Sequence, residues 1–86
     1  MSRPLSIIVG VISEIVNVPN PNNFYRTFQQ RITVTDHRGH QYRGMRCTGL
    51  VGSTIGSTVQ FLAEMTVSKK DPTKFLFIRA QDGAIL

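Results

Sequence analysis

The sequence predicts an all-β protein, a closed barrel of five strands with little or no helix. Three observations predict it. Apolar residues alternate with polar ones or run in short blocks, and no stretch repeats at the 3.6-residue helical period. Turn-forming residues recur between the blocks, around Asn17–Asn23, Asp36–Gly39, Gly49–Gly56 and Lys69–Thr73. Finally, five strands in 86 residues would leave unpaired edges unless the sheet closes on itself.

The first block, Pro4 to Val18, is long and apolar at both parities, so part of it is expected to be buried on both faces. Gly10 in its middle predicts a bend or bulge, as at the corner of a small barrel. The stretch "NVPNPNNFYRTF" follows. Its Pro and Asn residues read as loop, while Phe24, Tyr25, Arg26 and Phe28 are out of place in a flexible linker. Strands of the same barrel flank it, so it is expected to be a recognition loop within one domain spanning residues 1–86. In the second block, Phe28, Ile32 and Val34 are expected to face inward, with Tyr25, Gln29, Arg31 and Thr33 outward. Gln30 falls on the inward parity, which predicts a bulge or a place at a barrel mouth. "DHRG" is a hairpin turn in which Gly39 supplies positive φ.

In the third block, Met45 and Cys47 suit the core, which places Tyr42 and Arg46 outward with Gly44 between them. The glycine-rich run Gly49–Gly56 is expected to be a loop. The fourth strand alternates cleanly: Val59, Phe61, Ala63, Met65 and Val67 face in, and Thr58, Gln60, Glu64 and Thr66 face out. In the last, "KFLFIRA", Leu76, Ile78 and Ala80 are assigned to the core, and Phe75, Phe77 and Arg79 to the outside.

Charge narrows the function. Ten Lys and Arg against five Asp and Glu give a formal charge of +5. Arg26, Arg31, Arg38, Arg43 and Arg46 cluster against Asp36 alone, and Lys69, Lys70 and Lys74 against Asp71 alone. Such an excess on a small domain favours an anionic partner, most often nucleic acid. The single cysteine, Cys47, cannot form an internal disulfide. The run from Leu5 to Val18 is interrupted and shorter than the ~20 residues of a membrane span. A soluble, intracellular (cytoplasmic) protein is expected, with no membrane partner. His37 and His40 flank Gly39, but with a single cysteine they do not make up a zinc ligand set, so no metal and no cofactor are expected. Nothing resembles a nucleophile elbow, a paired carboxylate or a phosphate loop, and a non-enzyme is expected.

Four pieces in order carry a resemblance: "IVGVISEI", "ITVTDHRGHQY", "IGSTVQFLAEMTV" and "SKKDPTKFLFIRA". Together they resemble the OB-fold, the five-stranded Greek-key barrel of many single-stranded nucleic-acid-binding proteins. The chain departs from that pattern in having the loop Gly49–Gly56 where a helix is usual, and no acidic tail after Leu86. The resemblance implies a binding face on the second and third strands, flanked by the loop after the first strand and the loop before the fifth. It implies phosphate contacts from Arg26, Arg31, Arg38, Arg43, Arg46, Lys69, Lys70 and Lys74, and base stacking by Phe24, Tyr25 and Tyr42. The implied function is binding of single-stranded DNA, or RNA, largely without sequence preference, in replication or recombination. A homo-oligomer, dimer or higher, is expected, with Phe75 and Phe77 at its interface. The alternative reading is a protein-interaction or assembly module anchored by Phe75 and Phe77, its basic face incidental. An SH3-like or Sm-like RNA-binding barrel shares the strand count and charge, but its first strand is usually shorter.

Overall fold

β1, Ser6–Pro19, is the longest strand of the molecule and pairs with two neighbours in turn. The computed structural model describes residues 4–19 and 28–86, with the side chain of Phe28 outside that set. The other elements are β2 (Phe28–Thr35), β3 (Gln41–Met45), a single 3-10 turn (Thr48–Leu50), β4 (Thr58–Val67) and β5 (Lys74–Ile85). They close in the order β1-β2-β3-β5-β4, with β3 and β5 parallel and every other pair antiparallel. This is an OB-like Greek-key barrel. Among the described residues, no helix is long and apolar enough to cross a membrane.

β1 switches partner near Gly10. Its first half pairs with β4, from Ser6 opposite Ala63 to Val11 opposite Thr58, and its second half with β2, from Val11 opposite Thr35 onward. A Cβ on Gly10 would lie 2.6 Å from the Thr35 carbonyl oxygen, so only glycine lets the two strands cross this closely. A bulge follows between Ile12 and Glu14.

The interior is filled by Ile8 and Ile12, Ile32 and Val34, Val59, Phe61 and Ala63, all essentially without exposure, together with Phe77. Leu50, on the 3-10 turn, joins them. It lies within the run expected to be plain loop; the loop is real, but Leu50 turns inward while Val51 and Ile55 stay exposed.

Two parity assignments are reversed. Tyr42 lies opposite Val34, and Gly44 opposite Ile32, so both take the inward row of β3. Tyr42 is half-buried against the core, while Met45, expected inside, is 41% exposed. Cys47 lies beyond the end of β3 and still packs against the core. In β5, Phe77 is 3% exposed, and Leu76 and Ile78, expected inside, are 50% and 56% exposed. The physical cause is space. A Cβ on Gly44 would collide with the Phe77 ring and backbone, so the bare glycine opens the volume that Phe77 fills. Phe77 then meets Phe61 at 4.8 Å between ring centres, tilted by 53°. Phe77 is therefore a core residue and unavailable as an interface anchor. Phe75 is half-buried at the barrel mouth, its ring stacked on Tyr42. Ala80 does pack against the core as expected, whereas Val67 at the end of β4 is 56% exposed.

β5 runs on to Ile85, five residues past the expected strand, through two bulges. Ile78–Gln81 spans Leu62–Glu64, and Gln81–Ala84 spans Gln60–Leu62, three steps against two each time. Arg79 and Asp82 in these bulges have φ of 56° and 54°, which costs a non-glycine residue about 1 kcal/mol or more. The first bulge sets the exposed Arg79 guanidinium 3.5 Å from the buried carboxylate of Glu64.

Candidate nucleic-acid interface

In an antiparallel ladder, residues directly opposite share a face, so the register fixes the outer surface of β2, β3 and β5. One row runs Val16, Arg31, Met45. The next runs Glu14, Thr33, Arg43, Leu76. A third sets Thr35, Gln41 and Lys74 side by side. The result is a polar and cationic sheet surface with exposed apolar side chains set into it. Arg43 and Lys74 are exposed; Arg31 is half-buried, and its Nε has no hydrogen-bond partner among the described residues. A cavity of about 70 Å³ opens between Thr33, Gln41, Arg43, Ser68, Lys74 and Leu76.

Two turns border this surface at one end. The amide of Gln41 donates to the Thr73 carbonyl (3.2 Å), which holds the β2–β3 hairpin beside the β4–β5 turn. The latter turn carries exposed Lys69 and Lys70 and is shaped by Asp71, whose carboxylate accepts from the Thr73 amide (2.9 Å) and hydroxyl (2.7 Å). Those bonds hold the Asp71 carboxyl below its ordinary range. At the other end, the β1–β2 connection leaves from Pro19 and returns at Phe28, which pair with each other. Phe24, Tyr25 and Arg26 belong to that connection and lie outside the described residues.

The hairpin is organised by Asp36. One carboxylate oxygen accepts from the amides of Arg38 and His40, both at 2.9 Å, and the other accepts from the Tyr42 hydroxyl at 2.7 Å. Gly39, at φ 85°, closes the turn as expected. Desolvation pushes the Asp36 carboxyl upward, but the hydrogen bonds from Tyr42, His40 and Arg38 outweigh it and hold it below the usual range. Tyr42 shows the complement: desolvation, then the bond to Asp36, pushes its phenol up to about 12. Its ring stacks on Phe75, centres 5.1 Å apart and planes within 15°, with His40 tilted against the same Phe75 at 5.6 Å.

These contacts redistribute the expected site. Arg31, Arg43 and Lys74 share one outer surface, with Lys69 and Lys70 on the turn at its rim. Tyr42 is not on that surface; it faces inward at the barrel mouth, its ring and hydroxyl both engaged. Arg46, also expected to face outward, is half-buried, and its guanidinium donates to the Ser53 carbonyl (2.9 Å) and hydroxyl (3.3 Å). Its amide donates to the Gln30 carbonyl (2.8 Å), so this residue fastens the start of the β3–β4 connection. Gln30 is half-buried, its amide nitrogen donating to Asn17. Arg38 is exposed and lines a groove of about 290 Å³ shared with Ile7 and Val9 of β1. The sequence reading missed Met45 and Leu76, which sit on the outer surface next to the cations. The signal that finds them is the pairing of Tyr42 with Val34, which sets the parity of β3 and, through β3, of β5.

Among the described residues, no group of three or more His, Cys, Asp or Glu is placed to hold a metal ion. Comparison with known proteins finds no matching family model, no matching curated protein and no matching solved structure.

Proposed function

We propose that the protein binds single-stranded nucleic acid, without catalysis and largely without sequence preference, on the outer surface of β2, β3 and β5. One observation carries this reading: Arg31, Arg43 and Lys74 lie on a single sheet surface that also presents Met45 and Leu76 to solvent. A single strand offers two things to such a surface. Its phosphates are neutralised by cations, and its unstacked bases are covered by flat or apolar side chains. The guanidinium of Arg43 serves either need, because its planar face packs on a base as well as its edge meets a phosphate. Lys69 and Lys70 extend the phosphate track along the β4–β5 turn. Phe24 and Tyr25 are the aromatic platforms in this reading, since Tyr42 is committed to Asp36 and Phe75. A part in DNA replication or recombination and an intracellular setting are the biological context that fits such binding.

The test is an anisotropy titration with labelled oligo-dT, oligo-rU and a duplex of equal length. The single strands are expected to bind tighter than the duplex, whose bases are not free to be covered. Duplex binding as tight as oligo-dT, or no binding to any of the three at low salt, contradicts the proposal.

A further inference from the structure

The small cavity among β3, the end of β4 and the start of β5 is lined by hydrogen-bond donors and by no acid. Its polar lining is Thr33, Gln41, Arg43, Ser68 and Lys74, with Leu76 beside them. In the parallel β3–β5 pair, Lys74 lies opposite Gln41 and Leu76 opposite Arg43, so cations from two neighbouring strands line one opening. Backbone bonds hold these elements together without spending the side chains. The Gln41 amide donates to the Thr73 carbonyl (3.2 Å), the Ser68 amide to the Lys74 carbonyl (2.8 Å), and the Lys74 amide to the Asp71 carbonyl (3.1 Å).

The side chains keep protons to give. Ser68 Oγ accepts from the Lys70 amide (3.3 Å), which leaves its own hydrogen to donate. Thr33 instead turns its hydroxyl to Glu14, at 3.4 Å. Among the described residues, the ion pairs are those of Asp36 and Glu64, so Arg43 and Lys74 have no carboxylate partner. Asp71, on the adjoining turn, directs Oδ1 to the Thr73 amide and hydroxyl. Two like charges gathered without a counter-charge, beside neutral donors, suit a bound oxyanion.

We propose that this cavity holds the terminal phosphate monoester of a bound strand, so that the protein prefers strands that end in phosphate. The inference rests on the single-strand reading above and names one subsite within it. Size supports it. One water needs about 10–15 Å³ of such a cavity, so about 70 Å³ holds roughly five heavy atoms, which a phosphoryl group matches and a nucleobase exceeds. Charge supports it as well. A monoester carries close to two negative charges near neutral pH, against one for a phosphodiester, and so balances Arg43 and Lys74 together. Connectivity separates the two further. A terminal phosphate enters with three oxygens free to accept from Gln41, Arg43, Ser68 and Lys74. An internal phosphate must send two ester oxygens back out through the mouth, and meets the same groups with the other two. Strands without a terminal phosphate therefore still bind, less tightly.

The test is an anisotropy titration with oligo-dT of about eight nucleotides, within the reach of one barrel. Three forms are compared: hydroxyl at both ends, phosphate at the 5′ end, and phosphate at the 3′ end. A hydroxyl-ended strand about two nucleotides longer matches the charge that a terminal phosphate adds. At least one phosphorylated strand is expected to bind about 10-fold tighter than its hydroxyl-ended counterpart, the effect of a further charged hydrogen bond, and tighter than the longer strand. The end that gains gives the direction in which the strand lies. Lys74→Gln is expected to remove this gain. Lys69→Gln, a change on the turn outside the cavity lining, is expected to weaken all strands alike and keep it. Phosphorylated strands that bind no tighter than the longer one overturn the proposal, while binding of the hydroxyl-ended strands leaves the single-strand reading standing. A gain that survives Lys74→Gln, or that Lys69→Gln removes as fully, also overturns it. No binding by any strand at low salt overturns the subsite and the single-strand reading together.

Discussion

Two outward surfaces of the barrel differ in every respect that matters for partners. The surface of β2, β3 and β5 mixes Arg31, Arg43 and Lys74 with isolated apolar residues, and its strands are paired on both sides. The first half of β1 presents Leu5, Ile7, Val9 and Val11, no charge of its own, and a backbone edge that no strand pairs among the described residues. Charged, fully paired surfaces attract polyanions and leave like-charged copies apart. An apolar open edge does the reverse. On the proposed reading, single-strand binding belongs to the first of these surfaces, and changes to the β1 edge are expected to leave it intact.

The comparison breaks first if the parity of β5 is wrong, because that parity decides what the outer surface contains. Phe77→Ala is expected to cost about 3–5 kcal/mol of stability, the range for a buried phenylalanine. Leu76→Ala, an exposed position, is expected to stay within about 0.5 kcal/mol. Chemical denaturation of the two variants checks both, and equal losses would mean that the inner and outer sides are misassigned.

Reversing charge on the outer surface is the next largest change. Arg43→Glu combined with Lys74→Glu is expected to weaken oligo-dT binding by about 100-fold at low salt, since it removes two phosphate contacts and adds repulsion. Sedimentation is expected to be unchanged. A change in sedimented mass along with the loss of binding would show that this surface does more than meet the strand.

Arg46 sharpens the comparison from the structural side. Its guanidinium is held by Ser53, so Arg46→Ala is expected to lower stability by about 1–2 kcal/mol through the lost charged hydrogen bonds. It is not expected to alter the salt dependence of binding.

The smallest effect is a pH dependence at the barrel mouth. Tyr42 ionises near 10 in the unfolded chain and near 12 in the fold, so the stability it contributes is complete below about pH 10 and lost as pH rises toward 12. Asp36 has the opposite sense: its lowered pKa contributes stability above the ordinary carboxylate range, lost as pH falls through the folded value. The melting-temperature gap between wild type and Tyr42→Phe is expected to close between about pH 10 and 12. A gap that is constant there would remove the Tyr42–Asp36 bond from the description.

How far the sequence could be read follows from where polar residues mark a face. In "TVQFLAE", Thr58, Gln60 and the apolar residues between them declare the inside of β4 at once. In "FLFI" both parities are apolar, and the choice is made by Gly44 on a neighbouring strand, a partner invisible to periodicity. Tyr42 suffers the same ambiguity, because an amphipathic ring suits either side until Val34 is known to lie opposite. Leu50 is hidden among glycines. The cations were legible as charges, but whether each is free, like Arg43, or fastened, like Arg46, depends on hydrogen bonds that form only in the fold. The apolar run of β1 reads as buried on both faces; that it is half edge becomes visible only when the β2 register stops at Val11.

The central claim is that the surface around Arg43 meets the phosphates of a single strand. The most direct measurement is the salt dependence of oligo-dT affinity for wild type, Arg43→Ala and Arg46→Ala. Each phosphate contact contributes a log–log slope of about −0.7 on a single strand. Arg43→Ala is expected to flatten the wild-type slope by about that amount, and Arg46→Ala to leave it unchanged. A slope unaffected by Arg43→Ala, or flattened by Arg46→Ala instead, would contradict the assignment of this surface.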